Sequence, residues 1–381
     1  MQKREASSSP AGQPSTRRRE PSTATLPDPS SISATKPKSR HGSPEDTSPD
    51  PPRTFDRLSP LRDMEHLDAL AAVLQPFRTD YLPSPTPDTL LFLPADAIRH
   101  WYLGYVYRWH NFKHAAIEHF KHDKCVQAFR QLGDSQAHLP DATSHPPCPL
   151  SAPLSLEYHF ICEVLRPVER IYNTLLTTQA MRDLCGDDIP QGIWLERGEQ
   201  NEELAAKGIT PAFVVRSKAA SGKDEVRLVG HAEYLGGRPG ALTAAIKNVG
   251  RNTWGSLRCV LGDVARWMLA CNTEYGFLVS SDEIIFLHFA IVYKGKKMNI
   301  AEPGEPERLA FVYSMVEPHV YYSDPIKHSE VLDEAKGTVT VRLALLFLLH
   351  STVTQRFQMP KQKGNAAHFF PTTEAGKKFT L

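Results

Sequence analysis

From residue 156 onward the apolar residues change their period four times, and that succession of periods leaves few folds open. Leu156, Phe160, Val164, Val168 and Ile171 recur at three- and four-residue steps, on one face of a helix. Pro167 lies inside that run and predicts a bend, because proline lacks the N–H a helix needs and its ring crowds the carbonyl four residues back. The short β-branched runs ITPAFVVRS and EVRLVGHAEYLGG follow, joined by the turn-forming KAASGKD, and predict a hairpin. Leu257, Val260, Leu261, Val264, Met268 and Cys271 return to helical spacing, with Asn272 and Gly276 near the exit. YGFLVSS, EIIFLHFAIVYK and HVYYSDPI read as three more strands, and TVTVRLALLFLLHSTV as a closing apolar helix. Helix, strands, helix, strands, helix predicts an α/β domain over 151–356, with a mixed central sheet flanked by helices.

The rest of the 381 residues reads differently. Residues 1–60 hold 11 Pro and 12 Ser but only five of Val, Ile, Leu, Met, Phe, Trp and Tyr, too little apolar surface to offset ordering entropy. A disordered tail is expected there, carrying Lys3-Arg4 and Arg17-Arg18-Arg19 at the spacing of a two-part nuclear-import signal, and Ser-Pro pairs at 9, 43, 48 and 59 that could accept phosphate. Residues 61–150 predict a helical accessory region, ending in the proline-rich HLPDATSHPPCPLSAP; residues 357–381 are expected to be a C-terminal tail. The 44 basic and 43 acidic side chains argue against a globally basic nucleic-acid coat. No apolar run approaches membrane length, the longest being of the LALLFLL kind at 343–349, so no membrane span is expected. Six scattered cysteines without a CxxC pair predict reduced thiols in an intracellular protein, nuclear or cytoplasmic.

Four segments, RLVGHAEY at 227–234, VLGDVARWM at 260–268, YGFLVSSDEIIFLHF at 275–289 and VYYSDPI at 320–326, together resemble the PD-(D/E)XK nuclease-like domain found in many uncharacterised proteins of filamentous fungi. The resemblance spans roughly 155–355 and implies a restriction-endonuclease-like core. It also implies phosphodiester hydrolysis with a divalent ion, usually Mg²⁺, held by oxygen ligands, and a lysine that stabilises charge on the phosphate. Members of that family take their acids from a Pro-Asp pair opening one strand and a Glu-x-Lys triplet on the next, whose two side chains share a face. A glutamate on the first helix and a glutamine on the second commonly join them.

At those positions this chain departs from the pattern. Pro211 is followed by Ala212 where the aspartate is expected, His231, Ala232 and Glu233 stand for Glu-x-Lys, and Asp263 stands for the glutamine. Losing an acidic ligand and the ammonium group together predicts a degenerate nuclease that recognises nucleic acid or a protein. Two active alternatives remain open. In one, His231, Glu233 and Asp263 bind Zn²⁺ or Mn²⁺. In the other the register is shifted: Asp224 and Glu233 supply the acids, Leu235 falls at the lysine position, and Lys247 or Arg258 supplies the positive charge. The first-helix carboxylate is Glu163 or Glu169. His231 and Glu233 also read as an ordinary solvent-facing pair on a half-buried strand.

Other features weigh less. His100, His110, His114, His119, His122 and Cys125 have helical spacings that could aim at one metal, but they lack the paired short spacings of zinc motifs, and their aromatic neighbours read as core packing. YLGGRPGALTAAIKNVG matches no phosphate-cradle pattern and is expected to be a flexible connection, with Arg238, Lys247 and Arg251 as phosphate contacts if nucleic acid is bound. A third reading makes 100–131 a partner-binding helix exposing Trp101, Tyr102, Tyr105 and Trp109. The oligomeric state is not legible from the sequence.

Overall fold

The computed structural model describes residues 68–77, 100–132, 153–186, 189–218, 222, 224–233, 235, 239–250, 256–300, 308–354 and 369–371. The Pro/Ser-rich tail expected over 1–60 and most of the C-terminal tail lie outside them. The described chain begins with α1 (Asp68–Leu74), β1 (His100–Tyr102), β2 (Tyr105–Trp109), α2 (Phe112–Lys121) and α3 (Asp123–Leu132). A long helical rod follows as α4 (Pro153–Phe160), a π-helical turn (Ile161–Leu165) and α5 (Arg166–Leu175). Then come α6 (Gln179–Cys185), β3 (Ile193–Glu196), α7 (Glu202–Ala206), β4 (Phe213–Lys218), β5 (Asp224–Ala232), α8 (Ala241–Lys247) and α9 (Leu257–Ala270). The chain closes with β6 (Tyr275–Val279), β7 (Glu283–Ile300), β8 (Arg308–Ser323), β9 (Ile326–Lys327), α10 (Val341–Thr354) and β10 (Phe369–Pro371).

Eight strands form one mixed sheet in the order β2-β8-β7-β6-β5-β4-β3, with β9 pairing β7. Strands β3, β4 and β5 are antiparallel neighbours, β5 and β6 run parallel across α8 and α9, and β2 lies parallel to β8 at the far edge. Strand β6 is buried at all five residues, as a central strand covered on both faces must be. Leu228, Phe213, Phe277 and Phe286 point into one core with the helical rod, α1 to α3 and α10. Val214, Val229, Leu278 and Ile285 point the other way, onto α9 and β1. The predicted mixed α/β sheet flanked by helices is the observed architecture.

Local chemistry explains the rod and α9. Pro167 cannot donate to the Glu163 carbonyl, and the turn before it widens to a π-helix; the buried Arg342 on α10 donates its Nε to that carbonyl at 2.8 Å. Helix α9 ends in a left-handed Asn272 (φ 57°), whose N–H reaches Leu269 while that of Thr273 reaches Met268, a Schellman closure that turns the chain into β6. β1 crosses α9 at Gly262, where a Cβ would stand 1.7 Å from the His100 carbonyl oxygen.

Two expectations for 61–150 are corrected. Residues 100–109 are strand rather than helix, and β2 is an edge strand of the main sheet. Nor is the region an appendage: Leu70, Phe112, Phe120 and Phe129 lie in the same core as Phe160 and Leu345, and 57–381 forms one compact unit. The boundary near 150 falls outside the described residues.

Candidate functional site

The end of β5 carries His231 with Glu233 just beyond it, and their two-residue spacing puts both on the α9 face of the sheet. His231 Nε2 lies 3.2 Å from Glu233 Oε1, close enough for an ion pair though off hydrogen-bond geometry. Trp267 of α9 stands edge-on to the imidazole at 4.8 Å. Burial pushes the His231 pKa down, but contact with Glu233 and the negative charges of Asp263 and Glu157 outweigh it, and the net direction is up. The pair therefore sets the His231 imidazole against the buried Glu233 side chain.

Asp263 points from α9 and is already engaged. His100 Nδ1 donates to Asp263 Oδ1 at 2.6 Å, and Arg266 Nη1 lies 2.8 Å from His100 Nε2. A guanidinium can only donate, so Nε2 is the acceptor and the imidazole proton sits on Nδ1. The result is a chain, Arg266 to His100 to Asp263, joining β1 to the helix.

The first-helix carboxylate nearest this place is Glu157, not Glu163 or Glu169. Glu157 is paired with Arg197 at 2.8 Å; burial raises its pKa against the lowering pull of Arg197 and His231. Glu163 faces Arg342, 3.7 Å away, inside the opposite core. Glu169 accepts from the Leu195 amide at 3.0 Å and pairs with Arg166. Asp224 sits at the other end of β5, beside Arg216 at 3.6 Å, so the shifted register does not bring it to Glu233. Arg258, its proposed cation, donates to the carbonyls of Tyr102, Gly104 and Val249 and serves to hold the β1–β2 turn. Ala212 is buried just before β4.

The donor set does not fit a Mg²⁺ cage, which wants several free carboxylate or carbonyl oxygens. Here Glu233 faces the His231 imidazole, Asp263 the His100 imidazole and Glu157 an arginine. Nor is any group of three or more His, Cys, Asp or Glu arranged to hold a metal among the described residues. Within the histidine-rich segment, His119 meets Cys125 at 3.5 Å and lies tilted against His350 at 4.7 Å, inside an aromatic core.

The glycine-rich stretch leads into a carboxylate-capped helix. Asp282 Oδ2 accepts from the Gly240 amide at 2.8 Å, and Glu283 accepts from both the amide and the hydroxyl of Thr243, at 2.9 and 2.5 Å. The amides at the start of α8 that a phosphate would seek are thus filled by the chain itself. Lys247 is exposed at the other end of α8; Arg238 and Arg251 lie outside the described residues. Of the aromatic set, Trp101 and Tyr102 are buried, Trp109 packs against the core, and Tyr105 is exposed; Tyr107, exposed beside it, was not anticipated. No helix is long and apolar enough to cross a membrane among the described residues. Compared with protein-family models, curated proteins and solved structures, the chain gives no match.

Proposed function

We propose that this chain is a catalytically degenerate PD-(D/E)XK nuclease-like protein that acts as a recognition module for nucleic acid or protein. One observation carries the reading: each carboxylate around the end of β5 is engaged by a cationic or imidazole side chain of the same chain, Glu233 by His231, Asp263 by His100 and Glu157 by Arg197. A nuclease of this family needs the opposite, unpaired acids that gather a hard cation and a lysine beside them. What supports the family part is position. Pro211 and Ala212 open β4, His231 and Glu233 close β5 on one face, and Asp263 meets that face from α9. Strands β3 to β6, with the rod before them and α9 between β5 and β6, supply a sheet on which such a core can be laid. Fold alone does not fix function, so the assignment of a recognition role rests on the altered charges.

A cleavage assay on single- and double-stranded DNA and RNA with Mg²⁺, Mn²⁺ or Zn²⁺ tests it. The expected outcome is no metal-dependent product. Cleavage by the native chain that disappears in Glu233→Ala would instead establish the rival reading, an active phosphodiesterase with a rearranged His231, Glu233 and Asp263 site.

A further inference from the structure

The sheet's other face carries a second feature. Tyr107 of β2, Tyr321 of β8, His288 of β7 and Tyr275 of β6 are register partners and form one row across four strands. Their ring centroids are 5.6, 5.9 and 5.0 Å apart in that order. The next row begins with Tyr105 and His319. Tyr105 and Tyr107 are 45 and 42% exposed, and their rings are parallel within 4° at a centroid separation of 6.3 Å. His319 lies between them, buried, its ring 4.9 Å from one and 5.1 Å from the other.

Two parallel exposed rings at this spacing stand close to twice the roughly 3.4 Å rise between stacked bases. A small opening of the pair admits one flat ring between them, with the His319 imidazole at the floor of the slot and Tyr321 beside it for a second ring. The strands that bear the row continue past Ala290 and His319 into a two-stranded ribbon ending at Ile300 opposite Arg308. Along that continuation β7 carries Lys294, Lys296 and Lys297, and β8 carries Arg308 and a single acid, Glu317, opposite Val292. Stacking rings on β2 and β8, with the basic residues on the neighbouring strand β7, match a chain of planar bases on a phosphate backbone.

We propose that Tyr105, Tyr107, His319 and Tyr321 form a stacking platform for the unpaired bases of a single-stranded nucleic acid. Bases already stacked in a duplex cannot enter the slot, which makes single strands the preferred form. The platform stands apart from the His231–Glu233 pair, on the opposite face of the sheet, and does not depend on how that pair is read.

The test is fluorescence anisotropy with the full chain and labelled 12-nucleotide single-stranded DNA and RNA, beside the matching duplexes, at low and moderate salt. Single strands are expected to bind with salt-dependent affinity, and the duplexes more weakly. The Tyr105→Ala/Tyr107→Ala variant is expected to weaken binding by about tenfold or more, and the Tyr105→Phe/Tyr107→Phe variant, which keeps the rings, to stay within about twofold of the native chain. A circular dichroism melt of each variant checks the fold, since both side chains are on the surface. No binding of either single strand, equal or tighter binding of duplex, or an affinity that ignores the alanine pair would overturn the proposal. Capture of an extended peptide on the β2 edge in place of the oligonucleotides would do so too. Metal-dependent cleavage reads the other face, so either idea fails without the other.

Discussion

His119, His328 and His350 sit in the core with little water around them, and burial drives their pKa values down to about 4, 3 and 3. His328 is packed against Phe77 and Phe160, and His350 against His119 near the Tyr172 hydroxyl. All three are neutral in the folded protein at neutral pH. In the unfolded chain each takes a proton near pH 6.5, so between that value and their folded values the unfolded state binds more protons and stability falls as pH falls. Each group contributes a slope of up to about 1.4 kcal/mol per pH unit in that window. Asp282 opposes them: burial raises it from 3.8 to about 6, and its contribution is present at low pH and lost as pH rises through that range. His231, with a raised pKa, likewise contributes below 6.5 and loses it above. Three falling terms outweigh two, so the urea midpoint is expected to drop clearly between pH 7 and pH 5, and His328→Leu to flatten the dependence. Equal midpoints at the two pH values would show that these histidines are solvated. At this scale, the pairing of His231 with Glu233 was legible because period-two alternation is local. The partners Glu157 and His100 were not, since each arrives from a distant element, His100 from 163 residues away.

Among the elements, the rod from Pro153 to Leu175 and helix α10 depend on one side chain. Arg342 donates to the Glu163 carbonyl at 2.8 Å and to the Ala72 carbonyl at 2.9 Å while its guanidinium lies near the Glu163 carboxylate. It thereby ties α1, the π-turn and α10 together and satisfies the carbonyl that Pro167 leaves open. Arg342→Leu is expected to cost about 3–5 kcal/mol, because it strands a buried carboxylate and two carbonyls. Adding Glu163→Leu removes the stranded charge, so the double variant is expected to be more stable than the single one. Urea denaturation of the native chain, both single variants and the double closes that cycle. A double variant no better than Arg342→Leu would mean that the carbonyl bonds, not the ion pair, carry the cost. The helical spacing of 156–171 and 257–271 made both helices readable, and Pro167 announced the disturbance. What the pattern could not reveal was its form, a widened turn held by a residue 179 positions on. Strand β3 was missed because four residues between polar loops give too short a run. Residues 100–109 were misread because histidines and aromatics suggested a helix. Tyr105, Tyr107 and Trp109 alternate with period two, which was the available sign of a strand.

For the whole molecule, the chain's own division into parts is the question. Sequence patterning suggested a self-contained domain over 151–356, yet the sheet takes its edge strand β2 from 105–109, and α1 to α3 fill the core beneath Phe286 and Leu345. Phe112 stacks on Phe286 at 4.7 Å, a contact that joins the two regions directly. Burying Phe112, Phe120 and Phe129 contributes about 1.5–3 kcal/mol each, so these three side chains together approach the net stability of a typical domain, about 5–15 kcal/mol. Without them the rod and α10 would present an uncovered apolar surface, and Tyr321 would become an open sheet edge. A fragment of 151–356 is therefore expected to lack a cooperative transition and to bind a hydrophobic dye, whereas 57–381 unfolds in one step. Near-ultraviolet circular dichroism and tryptophan fluorescence followed together in urea distinguish the cases, because their transitions coincide only for a single cooperative unit. A fragment of 151–356 that melts as sharply as the longer chain would restore the two-part reading and make the platform strand β2 an addition to a finished fold.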